Sequence, residues 1–189
     1  DIWECPPNGQ GWVALVALNM LACVNLARLP PFSPDYQRLQ IEALREVVPA
    51  THKFTTNFMG LFTPLDSFAL ACDLDWASWD SYPTGNVYRW ASQTRNPGDA
   101  VPPYAFDVGD PLITGLAHDL TRGLKRAPFW VMEQQAGHIN WESVNTLIRP
   151  GTIRLWTWHA LAHGANGIVY FRERAALPAQ EQYHSGLLK

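Results

Sequence analysis

Glu133 closes the apolar run Phe129–Met132, and Gln134 and Gln135 follow it in the stretch FWVMEQQ. On a buried strand the apolar run faces core and helices, so the carboxylate at its end is held rigidly at the rim. Rigidity of that kind suits a nucleophile or a general acid. The competing reading is a Glu that ends a strand and pairs with a nearby Arg. Other polar residues fall at the carboxyl ends of apolar runs: Asn57, Asp80 with Tyr82, and Arg172 with Glu173. Asn57, Asp80 and Tyr82 are candidates for lining a pocket, or for structural hydrogen bonding behind it. His159 and His163 have the i, i+4 spacing of a helical metal pair, but HExxH is absent and no third ligand stands near in sequence, so no metal is expected.

The composition bounds what these groups can serve. Apolar residues make up 47% and charged residues 16% of 189 residues, too apolar and too weakly charged for a disordered chain. The 14 Lys and Arg are scattered and the net charge is −3, which argues against a nucleic-acid partner. Cys5, Cys23 and Cys72 form no CxxC or Cys/His pattern, so neither a disulfide framework nor a zinc ribbon is expected, and reduced thiols in a cytoplasm fit. Nine Trp residues are unusual. Most are expected in the core, while the rest offer flat faces on which the C–H face of a sugar can lie.

The elements that must carry these groups alternate along the chain. Trp12–Ala27 is short of the roughly 20 apolar residues that span a bilayer and lacks the marks of a signal peptide. It reads as a buried helix, or a strand and a helix, with no membrane partner. A breaker cluster, LPPFSP, precedes a helix over Asp35–Val48 that Pro49 ends. His52–Gly60 is β-rich, LDSFALACD is helical, and Trp76–Pro83 reads as a strand. Thr84–Asp110 lacks periodicity and reads as a long functional loop. Ile113, Leu116, Ala117, Leu120 and Leu124 share one helical face. FWVMEQQ is the next strand, Gly151–Ala165 a helix, and Asn166–Arg172 the last strand. Helices alternating with apolar strands imply a parallel sheet covered by helices, and polar residues gathered at the strands' carboxyl ends favour a (β/α)8 TIM barrel over an open sheet. GxGxxG and GxxxxGKS are both missing, which lowers nucleotide binding.

The segments WVMEQQAGHINW, RPGTIRLWTWHALAHGANGIVYFRER and EQYHSGLL resemble the second half of the catalytic barrel of glycoside hydrolase family 42 β-galactosidases. TTNFMG, LDWASWDSYPTGN and HDLTRG resemble the same family, so the likeness covers residues 51 to 188. It implies an α/β fold holding about the last four strand–helix units of a (β/α)8 barrel, and hydrolysis of terminal β-galactosides such as lactose or galacto-oligosaccharides with retention. By the same resemblance Glu133, in VMEQQ, is the nucleophile, Trp141 is an aromatic wall of the galactose pocket, and Glu181 and His184, in EQYH, bond the sugar hydroxyls. The family motif matches at His163, whereas position 159 usually carries Gln.

The likeness also has gaps. A retaining hydrolase needs a second carboxylate roughly 5 to 5.5 Å from the first, and in the family it belongs to an Asn-Glu pair upstream of the matched motifs. This chain has no Asn-Glu dipeptide; Glu4, Glu42 and Glu46 are the Glu residues before the match, the last two in an expected helix. The family's Cys-rich metal cluster is also upstream, so no cofactor is expected. Residues 1–34 are read as an unmatched segment and 35–189 as a partial barrel domain. Half a barrel exposes two sheet edges and an apolar inner face, so a homo-oligomer or a complementing N-terminal chain is the expected way to close it. A galactoside-binding remnant without turnover and a fragment without a ligand are the competing functions; a thiol or metal enzyme has no Cys/His constellation behind it.

Overall fold

The computed structural model describes residues 11–87, 101–142, 145–178 and 180–188. Glu4, Cys5 and residues 88–100 of the expected long loop lie outside the described residues. The chain forms two compact units, residues 1–55 with 63–75, and residues 56–62 with 76–189.

The first unit is helical. α1 (Gly11–Leu21) and α2 (Pro34–Val47) meet through Ala17, Leu21 and Ala43, with Leu26, Leu39, Leu44 and Val47 packed around them. Ser33 starts α2 by accepting from the Tyr36 N–H at 3.3 Å, and Pro34 sits where a missing N–H costs nothing. The expectation of a buried segment at residues 12–27 holds only for one stripe of α1. Leu15, Leu18, Met20 and Val24 are exposed, because a single partner helix covers a single stripe. α3 (Ser67–Cys72) is capped by Asp66. Asp75 gathers the unit's polar contacts, accepting from the Phe54 N–H at 2.7 Å and from Arg45 and Lys53 at 3.1 Å.

The second unit is built on a parallel four-stranded sheet in the order β1 (Asn57–Phe58), β2 (Ser78–Ser81), β3 (Phe129–Gln135) and β4 (Ala165–Phe171). Each strand pairs with its successor in sequence, and helices α5 (Pro111–Lys125) and α6 (Thr152–Ala162) make the crossovers from β2 to β3 and from β3 to β4. All carboxyl ends therefore share one rim, as in a barrel wall. Phe58, Trp79, Phe129 and Val131 are fully buried in this unit, each contributing roughly 1.5–3 kcal/mol by leaving water. Gly60 keeps a positive φ of 61° where a side chain would press on the Trp79 ring.

The β-rich run His52–Gly60 narrows to a two-residue strand, since its first part lies outside the ladder. The expected loop Thr84–Asp110 contains a short helix, α4 (Ala105–Val108). The buried face of α5 also differs from the apolar reading. Ile113 and Ala117 are buried with Thr114, His118 and Thr121, whereas Leu116 is 53% exposed. Thr114 and Thr121 donate back to the Asp110 and Ala117 carbonyls at 3.0 and 2.8 Å, so their hydroxyls enter the core already satisfied.

Candidate active site

The rim of the sheet collects the predicted residues. β3 runs two residues past Glu133 to Gln135, so the carboxylate leaves the strand before its end rather than at it. The two amides beyond it are buried and act as clamps. Gln135 accepts from the Thr84 N–H at 3.2 Å and donates to Thr84 Oγ1 and the Gly137 carbonyl, both at 2.7 Å. Gln134 donates to the Ser81 carbonyl at 3.4 Å. The chain just after Glu133 is thus tied to its neighbours, which limits how far the carboxylate can drift. The sequence carried the amides in plain view, but nothing in their spacing said they would turn inward.

Glu133 receives donors on both oxygens. The Tyr82 hydroxyl donates to Oε2 at 2.6 Å and the Asn57 amide donates to Oε1 at 3.4 Å. Burial, and then the Glu133 charge it bonds, hold the Tyr82 phenol far above its ordinary range, so it stays a donor at any working pH. Asp80 is the register partner of Glu133 across β2 and β3. Burial first, and Glu133 second, push its carboxyl up to about 7 against the opposing hydrogen bonds of Asn57 and the Glu133 backbone.

A cavity of about 450 Å³ opens over these groups, walled by Trp141, Glu181 and His184 opposite Asp80, Tyr82 and Glu133. Its size suits a sugar ring. The Trp141 ring meets Tyr82 edge to face at 5.5 Å, and His184 meets Tyr82 at 5.8 Å and Phe171 at 5.1 Å. Arg172 fixes Glu181 by donating to Oε2 at 2.9 Å and to its carbonyl at 2.6 Å. The buried His184 is held below its usual value by burial and by Arg172, and its Nε2 has no partner among the described residues. All seven residues singled out in the sequence, Asn57, Asp80, Tyr82, Glu133, Trp141, Glu181 and His184, therefore converge. Gly85 was missed: a Cβ there would collide with the Trp141 ring and Ile139, so the wall depends on a residue with no side chain. Phe171, Met59 and Phe62 also line the cavity. A larger cavity, about 810 Å³, lies beside Leu147, Trp158 and Tyr170, and none of its described lining residues carries a carboxylate.

His159 and His163 do meet, with ring centroids 4.7 Å apart, and His118 joins them at 5.4 and 5.6 Å. They are not arranged as ligands. Trp79 Nε1 donates to His118 Nδ1 at 3.1 Å, which leaves the proton of the neutral ring on Nε2. His163 Nδ1 is engaged by Asp119 at 2.9 Å. Among the described residues no three His, Cys, Asp or Glu side chains form a metal-binding group, and Cys23 and Cys72 are single exposed thiols. Arg149 pairs with Asp107 through both guanidinium arms. No described helix is long and apolar enough to cross a membrane.

Carboxyl groups on the C-terminal rim of parallel strands, faced by an indole across a sugar-sized cavity, define the class of (β/α)8-barrel carbohydrate enzymes. A family model described as beta-galactosidase, that of glycoside hydrolase family 42, matches residues 33–189. The beta-galactosidase of Thermus thermophilus is 52% identical over 153 residues, which are 80% of this chain and 23% of that protein. Beta-galactosidase BgaH of Haloferax lucentense is 48% identical over 81% of this chain and 22% of its own length. The solved beta-galactosidase of Halorubrum lacusprofundi superposes with a TM-score of 0.72 at 39% identity, over 99% of this chain and 26% of that one. The chain belongs to glycoside hydrolase family 42. It spans about a quarter of the length of the relatives it matches, and its sheet is the C-terminal half of their barrel.

Proposed function

We propose that this chain carries the nucleophile and the sugar pocket of a retaining β-galactosidase that acts in the cytoplasm on terminal β-galactosides such as lactose or galacto-oligosaccharides. The observation that supports it most is the Glu133 carboxylate, held between Tyr82 and Asn57 at the floor of an indole-walled cavity. In the first step one Glu133 oxygen attacks the anomeric carbon as the glycosidic C–O bond breaks, and the leaving oxygen takes its electron pair and a proton. Water then attacks the same carbon, giving its proton to the second carboxyl that protonated the leaving oxygen, as the ester C–O bond breaks to release galactose and the free Glu133 carboxylate. Trp141 provides the apolar face for the ring, and Glu181 and His184 bond its hydroxyls. A site built around such hydroxyl bonds rejects sugars lacking them. Asn57 and Tyr82 hold the nucleophile's orientation.

The proton for the leaving group has to come from a second carboxyl roughly 5 to 5.5 Å away, supplied in this reading by a complementing N-terminal segment. The nucleophile can be tested without it. 2,4-Dinitrophenyl β-galactoside departs without a proton donor, so the chain should release a stoichiometric burst of dinitrophenolate that the Glu133→Gln variant lacks. A soluble, folded preparation that binds galactose yet gives no burst would reduce the reading to a galactoside-binding domain.

A further inference from the structure

Asp80 and Glu133 face each other in register just past the point where the β2–β3 ladder shifts, and both line the same cavity. Their hydrogen bonding is unequal. Glu133 has a phenol on one oxygen and an amide on the other, whereas Asp80 accepts from the Asn57 amide and the Glu133 backbone while its Oδ1 is sealed from solvent with no partner among the described residues. A buried carboxylate oxygen without a donor is costly, and two anions on facing residues add repulsion to that cost. The ionisable groups facing Asp80 are Glu133 on β3, Tyr82 beyond the end of β2, and Glu181 and His184 across the cavity. Among the described residues no Lys or Arg acts on it.

We infer that Asp80 is a proton-dependent positioning residue for Glu133, whose carboxyl keeps its fixed direction as long as the facing Asp80 carboxyl holds its proton. The inference rests on the reading of Glu133 as the nucleophile. A neutral Asp80 competes only weakly with Glu133 for the Asn57 amide they share and does not repel it. Once ionised it competes strongly and repels, and the nucleophile loses its fixed direction. Burial and Glu133 bring that ionisation to about 7, close to where such an enzyme would work.

The coupling can be read without any sugar. In the full chain labelled with 13C at the aspartate carboxyls, one signal should titrate with a midpoint near 7, vanish in Asp80→Asn, and move to lower pH in Glu133→Gln, where the neighbouring charge is gone. A midpoint in the ordinary aspartate range, or one unmoved by Glu133→Gln, overturns the inference. The consequence for chemistry is read by mass spectrometry as the rate of covalent labelling by 2,4-dinitrophenyl 2-deoxy-2-fluoro-β-galactoside. That rate should fall about tenfold per pH unit above the same midpoint. Asp80→Asn, with no proton to lose, should label at a lower but pH-independent rate through this range, and a variant that keeps the alkaline fall overturns the inference. Absence of labelling at every pH, with the carboxyl coupling intact, would instead overturn the assignment of Glu133 as nucleophile.

Discussion

The Tyr82 hydroxyl stands 2.6 Å from Glu133 Oε2 and is the shorter of the two side-chain bonds to that carboxylate. A hydrogen bond to a charged acceptor in a half-buried site is worth about 1.5–3 kcal/mol. Tyr82 also touches Trp141 and His184 edge to face. One side chain therefore orients the Glu133 carboxylate and meets both the indole and the imidazole.

Replacing Tyr82 with Phe keeps the ring contacts and removes only the hydroxyl. The expected result is a labelling rate of Glu133 by the fluorosugar lowered roughly 10- to 100-fold, with the thermal midpoint nearly unchanged. Rapid-quench mass spectrometry and calorimetry on the same preparation check both halves. An equal rate would mean the bond to Oε2 does not steer the nucleophile.

Gly85 lets the Trp141 ring lie against the turn after β2. Gly85→Ala pushes the ring and Ile139 away, so galactose affinity should fall about tenfold, an energy of about 1.4 kcal/mol. Tryptophan fluorescence titrated with galactose measures it. Unaltered affinity would show that the indole is not the wall the sugar rests on.

The imidazoles of His118, His159 and His163 form a cluster between α5 and α6, with Phe129 and Trp79 against His118. Burial, then the neighbouring histidines, hold His118 down to about 3, and burial with His163 lowers His159. Asp119, which bonds His163 and pairs with Arg122, faces the cluster and opposes these shifts. For groups whose folded-state values are depressed, the unfolded chain binds more protons below about pH 6.5, so stability falls as pH falls from there toward 3. Urea midpoints should therefore drop between pH 7 and pH 5 in an Asp80→Asn background, which removes the opposing contribution of the Asp80 carboxyl, whose raised value makes the folded chain the stronger proton binder in that range. His118→Leu should flatten that slope while costing about 1–3 kcal/mol at pH 7 for the stranded Trp79 N–H. A slope that survives the substitution would place the acid sensitivity elsewhere.

Much of the site was legible before any coordinates, because strand polarity is visible in one dimension. An apolar run that ends in a carboxylate marks a rim position whenever the strands are parallel, and helices alternating with strands made them parallel. This marked Glu133, Asp80, Tyr82 and Asn57 as rim positions, while Trp141, Glu181 and His184 came from the family likeness and line one cavity with Asp80, Tyr82 and Glu133, to which Asn57 is joined by its bond to Glu133. The helix face was less legible: the apolar count put Leu116 inward, yet Thr114, His118 and Thr121 took the core. A polar side chain can be buried once it has a partner, and those partners, the carbonyls one turn back and the indole of Trp79, are not visible in hydropathy.

Residue order alone therefore determined the alternation of elements, the direction of the strands and the identity of the groups on their rim, since each depends on local patterns of apolar and polar side chains. Only the tertiary structure decided which oxygen of Glu133 meets Tyr82, that Asp80 lies opposite it without a donor on Oδ1, and that Gly85 makes room for an indole more than fifty residues away in sequence. Register shifts between strands and the turning of side chains into shared space set those contacts, and both are settled by packing between segments far apart along the chain.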